Sequence, residues 1–267
     1  MSILQMFSFP FMQRALIAGV LVSLCAALLG VSLVLKRYSM IGDGLSHVSF
    51  GALAIAVALG VTPLWFSIPV VILSAFLLLR VADNPRWNSD AAIAAMSASS
   101  LAIGILVISR TTGMTTDVDN YMFGSVLAMS KADVVLSVIL CLAVLVLFIL
   151  FYHKLFAVTF DESFSRATGT KTELFNTLLA VLTAITVVLG MRMMGALLIS
   201  SLIIFPALSA MRICRSFKAV VMMSACISVL CFLTGLLASY FLETPTGASI
   251  VIADLLAYGI CRLAGRK

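Results

Sequence analysis

Apolar residues run in nine long blocks along this chain, at about 11–35, 42–60, 64–80, 89–109, 131–152, 174–191, 193–211, 219–241 and 246–262, parted by short polar segments. Each block approaches the roughly 20 residues that a helix needs to cross a bilayer. A soluble core could not hide that much apolar surface. The pattern predicts an all-α polytopic membrane protein with about nine transmembrane helices, forming one transmembrane domain over residues 1–267. The two blocks that meet near Arg192 have a very short connection. One of them could be a broken or re-entrant piece, so eight spans stay open. The first thirteen residues lack a Lys/Arg-rich start and further spans follow at once. The first block is therefore expected to be a retained span and not a cleaved signal peptide. No soluble domain, low-complexity tract or internal repeat stands out.

Composition agrees with the pattern. Of 267 residues, 63% are hydrophobic and 10% charged, where a soluble domain carries about a quarter charged. The formal net charge of +6 is no nucleic-acid signal here, because excess Lys and Arg marks the cytoplasmic loops of membrane proteins. With the 154–173 loop placed inside and the spans alternating, thirteen of the 17 basic residues fall inside. Arg14, Arg110, Lys131 and Arg192 remain outside. This predicts an outside N-terminus and an inside C-terminus. The six cysteines lie mostly within apolar runs without CxxC spacing, and read as small apolar residues. Small residues also recur at close spacing: Gly19, Ser23 and Ala27 in the first span, and Ala91, Ala94, Ala95, Ala98, Ala102 and Gly104 in the fourth. Such faces let helices approach closely, either within one bundle or at a homodimer seam.

Three stretches carry candidate chemistry. After Lys36 and Arg37 the chain reads Tyr38-Ser-Met-Ile-Gly42-Asp43-Gly44-Leu-Ser46-His47. Four-residue spacing on a helix puts Asp43 and His47 on one face, and a carboxylate with an imidazole suits a divalent transition metal. Asp43 could instead cap the second span, and His47 could be a hydrogen-bonded interior residue. Two ligands are too few for zinc, which takes four, or three and water; two copies of the pair on a two-fold axis would supply four. The second stretch is Thr159-Phe160-Asp161-Glu162-Ser163-Phe164-Ser165-Arg166-Ala167-Thr168-Gly169. Thr159 and Glu162 have capping-box spacing, Arg166 sits in the last turn, and Gly169 is a stop signal. Phe160, Phe164 and Ala167 give a short apolar stripe. This predicts a short amphipathic helix on the inside face, lying on lipid or docking a cytoplasmic protein. The third stretch, Gly195 to Ala210, holds Pro206 within a span, where it frees a carbonyl and bends the helix.

Asp254 lies in mid-span and must be protonated, paired or facing water. Asp117 and Asp119 fall in an outside loop. Only two histidines exist, His47 and His153, with no H-E-x-x-H or serine-protease motif, and no Gly-rich phosphate loop with Lys is present. The chain is not expected to be an enzyme or to hydrolyse ATP itself.

These stretches together resemble the permeases of ATP-binding-cassette importers for zinc and manganese. That family carries an M-S-x-x-G-D-x-x-x-H segment, matched here by Tyr38–His47 with the order of methionine and serine changed. The match continues through Tyr121-Met-Phe-Gly-Ser125, Gly195-Ala-Leu-Leu198, Phe205-Pro206-Ala207 and Thr244-Pro-Thr-Gly-Ala248, across nearly the whole chain. The resemblance implies an importer-permease bundle in the bacterial cytoplasmic membrane, with no intrinsic cofactor. It implies a second permease copy, ATPase subunits that bind ATP on the inside, and an extracytoplasmic metal-binding protein outside. Asp161, Glu162, Phe164, Arg166 and Gly169 fall where such permeases place their coupling helix. Asp43 and His47 fall on the pathway of the metal, with zinc first and manganese or ferrous iron open. Gly195, Pro206 and Asp254 are pathway or packing residues. A permease for iron chelates or vitamin B12 would need a wide pathway without a ligand pair; a proton-coupled carrier would show more buried acids.

Overall fold

The computed structural model describes residues 10–82, 89–111 and 131–265. Asp117, Asp119, the Tyr121–Ser125 segment, Arg86, Arg266 and Lys267 lie outside these. The elements are α1 (Pro10–Leu35), α2 (Ser39–Ala58), α3 (Pro63–Ala82), α4 (Ser89–Thr111), α5 (Lys131–Leu150), α6 (Tyr152–Phe160), α7 (Glu162–Ala167), α8 (Thr172–Met194), α9 (Ala196–Ile213), α10 (Phe217–Leu242) and α11 (Thr246–Ala264). Among the described residues, nine of these helices are long and apolar enough to cross a membrane. The expected spans are matched one for one.

The short connection near Arg192 is a corner and not a re-entrant loop. Gly195 alone joins α8 to α9, with φ 87° and ψ 162°, a conformation that side chains exclude. Both helices it joins are of spanning length.

The core is built on α1, α2, α8 and α9. Their facing sides bury Val22, Leu29, Leu45, Leu53, Val187, Leu189, Ile199 and Leu202 completely or nearly so. On one flank α10 and α11 pack against α1 and α9; on the other α3 and α4 pack against α2, and α3 also meets α8. The small-residue stripe of α1 is spent inside the chain. Phe232 presses on Gly19, Ser228 Oγ donates to the Ser23 carbonyl at 3.0 Å, and Ser224 Oγ to the Ala27 carbonyl at 3.3 Å. Each serine hydroxyl thereby finds an acceptor that lipid cannot supply. The alanine face of α4 behaves differently: Ala94, Ala95, Ala98 and Ala102 are exposed. All six cysteines are free thiols.

Candidate functional site

Helix α2 starts at Ser39, earlier than its apolar run, because α1 ends in a tight left-handed cap. Tyr38 N–H donates to the Leu33 carbonyl at 2.8 Å and Arg37 N–H to that of Val34 at 3.1 Å, with Arg37 at φ 61°. This is the bonding of a Schellman motif with an arginine where glycine is usual. Asp43 therefore stands a full turn inside α2, and the capping alternative does not hold: the N-cap residue is Tyr38, whose side chain does not cap the helix. The glycines on either side of Asp43 explain its placement. Gly42 faces Ile203 of α9 and Gly44 faces Ile93 of α4, so α2 is wedged between two helices at this point.

Asp43 Oδ2 lies 3.8 Å from His47 Nε2, with the carboxylate 40% and the imidazole 25% exposed. The other oxygen, Oδ1, accepts from Ser200 Oγ of α9 at 3.0 Å. The carboxylate is thus divided between a hydroxyl and a facing imidazole. Two donors on a tetrahedral zinc, each about 2.0–2.1 Å from the metal, stand about 3.3 Å apart, so a small closing movement would let one ion take both. His47 Nδ1 is buried without a hydrogen-bond partner among the described residues. No group of three or more His, Cys, Asp or Glu side chains that could hold a metal ion is found among the described residues; the Asp43–His47 pair brings together two candidate ligands.

Ser201, the residue after Ser200, points the other way. Its Oγ donates to Asp254 Oδ2 of α11 at 3.1 Å, and Asp254 is 1% exposed. The mid-span acid is an interior group bonded to a neighbouring helix, apart from the Asp43–His47 pair. Pro206 is buried within α9, which stays helical on either side of it.

The second stretch folds as a separate short helix, α7, but its cap differs from the expected one. Thr159 is still within α6, so no capping box forms with Glu162. Asp161, extended at φ −144°, is the cap, and its carboxylate accepts from Phe164 N–H at 2.8 Å. The break at Asp161 also splits the expected apolar stripe. Phe160 ends α6 and stacks with Phe156 and Phe217, while Phe164 projects alone, 64% exposed. Gly169, at φ 83°, closes the helix as expected.

Freed from capping, Glu162 turns inward. Its Oε2 accepts from Lys36 Nζ at 3.1 Å and from Asn176 Nδ2 at 3.2 Å; its Oε1 accepts from Arg166 at 3.3 Å. Lys36 also donates to Asn176 Oδ1. Partial burial pushes the Glu162 carboxyl up, but the bonds from Asn176 and Lys36 and the positive charges of Lys36 and Arg166 outweigh it. They hold it below its ordinary value.

Sequence reasoning missed Ser200, Lys36 and Asn176. Ser200 lay in a stretch read for its proline and not its hydroxyls. Lys36 reads in the sequence only as an orientation signal. Asn176, an amide near the start of an apolar run, was the one signal in plain view.

The chain matches the model of the ABC 3 transport family over residues 8–263. The high-affinity zinc uptake system membrane protein ZnuB of Haemophilus influenzae is 29% identical, with 94% of this chain and 96% of that protein covered. The manganese import system permease protein ScaB of Streptococcus gordonii is 28% identical, with 94% and 90% covered. Among solved structures, a chain of PsaBC from Streptococcus pneumoniae in complex with Fab superposes with a TM-score of 0.87 at 28% identity, covering 97% of this chain and 95% of that one. The resemblance read from the motifs is borne out, and so is the membrane-spanning helical bundle it implied: the chain belongs to the ABC 3 transport family.

Proposed function

We propose that this chain is the membrane-spanning subunit of an ATP-driven importer for a divalent transition metal, with zinc as its first cargo. The observation that carries the reading is the Asp43–His47 pair on α2, whose facing donor atoms lie 3.8 Å apart, near the spacing that one metal imposes. The pair favours an ion over a bulky chelate, which needs room and no ligands. Zinc rests on the imidazole and on the relative named for zinc uptake. Manganese is the second reading, since another relative is named for manganese import and an oxygen–nitrogen pair does not select strongly between the two.

In this reading α7, with Phe164 exposed and Arg166 beside it, docks an ATPase subunit on the inside. An extracytoplasmic protein delivers the ion, and a second copy of the chain completes the ligand shell. The N-terminus faces out and the C-terminus in, as the basic residues predict. The test is uptake of radioactive zinc in cells without other zinc importers. Asp43→Ala and His47→Ala should each reduce uptake to background while the protein is still expressed and still co-purifies with its ATPase. Neither change opens a core cavity, because both side chains are partly exposed. Wild-type uptake in both variants would sink the proposal. Competition by excess manganese in the wild type decides between the two cargoes.

A further inference from the structure

The structure points to a joint between the docking helix and the metal-bearing helix. We infer that Lys36, Glu162 and Asn176 form the link through which a movement of α7 shifts α2, and so Asp43 and His47. The inference rests on the docking role of α7 proposed above.

The three side chains come from the end of α1, the start of α7 and the first turns of α8. Every polar atom at the centre of the cluster is bonded to another member: Lys36 to Glu162 and Asn176, and Asn176 to Glu162. Lys36 shows 7% of its side chain and Asn176 is 3% exposed. A buried ammonium without its partner is strongly unfavourable, so the cluster resists opening and shifts as a unit. Glu162 divides its oxygens, one to this interior cluster and one to Arg166, whose side chain is 66% exposed on the docking side. Beyond this cluster α7 is held by the hydrogen bond from Arg166 to Thr172 Oγ1 at 3.4 Å and by Ser165, its one buried residue.

The other end of the link is stiff. Lys36 is followed by Arg37 in its left-handed cap and by Tyr38, whose N–H is fixed to Leu33 and whose carbonyl accepts from Ile41 N–H at 3.0 Å. No slack separates Lys36 from α2. Asp43 lies four residues into that helix, about 6 Å along its axis, and His47 about 12 Å. Asp43 is in turn held by Ser200 of α9. A displacement of Lys36 therefore changes the distance between α2 and α9 at the acid itself.

The test uses the permease assembled with its ATPase subunits and delivery protein in proteoliposomes, reading ATPase co-purification, basal ATP hydrolysis and zinc uptake. Lys36→Met should keep the ATPase bound and basal hydrolysis within about twofold of wild type, while zinc moved per ATP falls at least about tenfold. Lys36→Arg, which keeps the charge, should recover most of the transport. If Lys36→Met does not fold, Asn176→Leu decides by the same readouts. Normal zinc per ATP in the folded variant overturns the joint and leaves the docking role standing, provided Phe164→Asp loses coupling. Loss of the ATPase from Lys36→Met also overturns it, because the cluster then only shapes the docking surface. Normal coupling in Phe164→Asp would remove the docking role and the joint together.

Discussion

Glu243 closes α10 in the left-handed conformation, at φ 52° and ψ 40°, with no side-chain bond to hold it there among the described residues. A residue with a Cβ gives up about 1–2 kcal/mol in that region. Glu243→Gly should therefore raise the stability of the detergent-solubilised protein by roughly 1 kcal/mol, read as a higher melting midpoint; an unchanged or lower midpoint would show that the carboxylate has a compensating partner. Ser200 is the opposite case, a small residue whose hydroxyl matters. Without it, Asp43 Oδ1 loses its donor and the carboxylate can turn away from His47. Supporting hydrogen bonds of this kind are worth about 10–100-fold in metal affinity. Ser200→Ala should raise the zinc concentration for half-maximal uptake by such a factor at an unchanged maximal rate, and Ser200→Thr should be milder. Neither residue announced itself. A serine within an apolar run is common, and its partner lies 157 positions away. Asp43 and His47 were readable because their four-residue spacing is a local property of one helix.

At the scale of the element, α7 combines an exposed Phe164 with a polar anchor, and the two halves can be tested separately. Replacing Phe164 with Asp places a charge where an apolar contact is expected and should strip the ATPase from the purified complex by about tenfold or more, leaving the anchor intact; normal co-purification and coupling would refute the docking role. The anchor depends on ionised Glu162. Because its folded value lies below the ordinary one, the stabilisation is fully present at neutral pH. It is lost only as the pH falls through that lowered value. A spin label at Ser163, in a cysteine-free background, should be immobile at pH 7 and become mobile only once acid protonates Glu162, below the ordinary range of a glutamate; in Glu162→Gln it should be mobile throughout. A label whose mobility ignores both changes would show that α7 is held by something else. The existence of this helix was legible in the sequence, and its cap was not. Thr159 and Glu162 have the right spacing, yet α6 runs on through Thr159 because Phe156 and Phe160 have Phe217 to pack on. Tertiary contact overrode a local signal.

Across the whole molecule, nine spans were readable because each is a long apolar block, whereas the partition between inner and outer helices was not. Helices α2 and α4 are both apolar enough to cross a membrane, yet the candidate span in α2 is 72% buried and that in α4 17%. What separates them is who packs on whom. Under the proposed function, the exposed alanine face of α4, beside the helix that carries Asp43 and His47, would suit a second copy of the chain. If the site is shared, the assembled importer should hold one zinc per two permease chains, and a concatenated dimer with Asp43→Ala in one half only should lose most of its transport. Cysteines at Ala98, with native cysteines removed, should cross-link the two copies. One complete ion per chain would overturn the shared site.

The glycine contacts between α2 and α4 carry a mechanical consequence. A methyl group added at Gly51 would lie 2.7 Å from the Ser100 carbonyl oxygen, and one at Gly104 would strike the Phe50 ring. The two backbones interlock like gear teeth, so α2 cannot slide or roll without carrying α4. Any movement of α2 therefore arrives at the alanine face of α4 as well. In a paired assembly the Asp43–His47 pair and the seam would share one degree of freedom, and each movement of α2 would be felt by both copies at once.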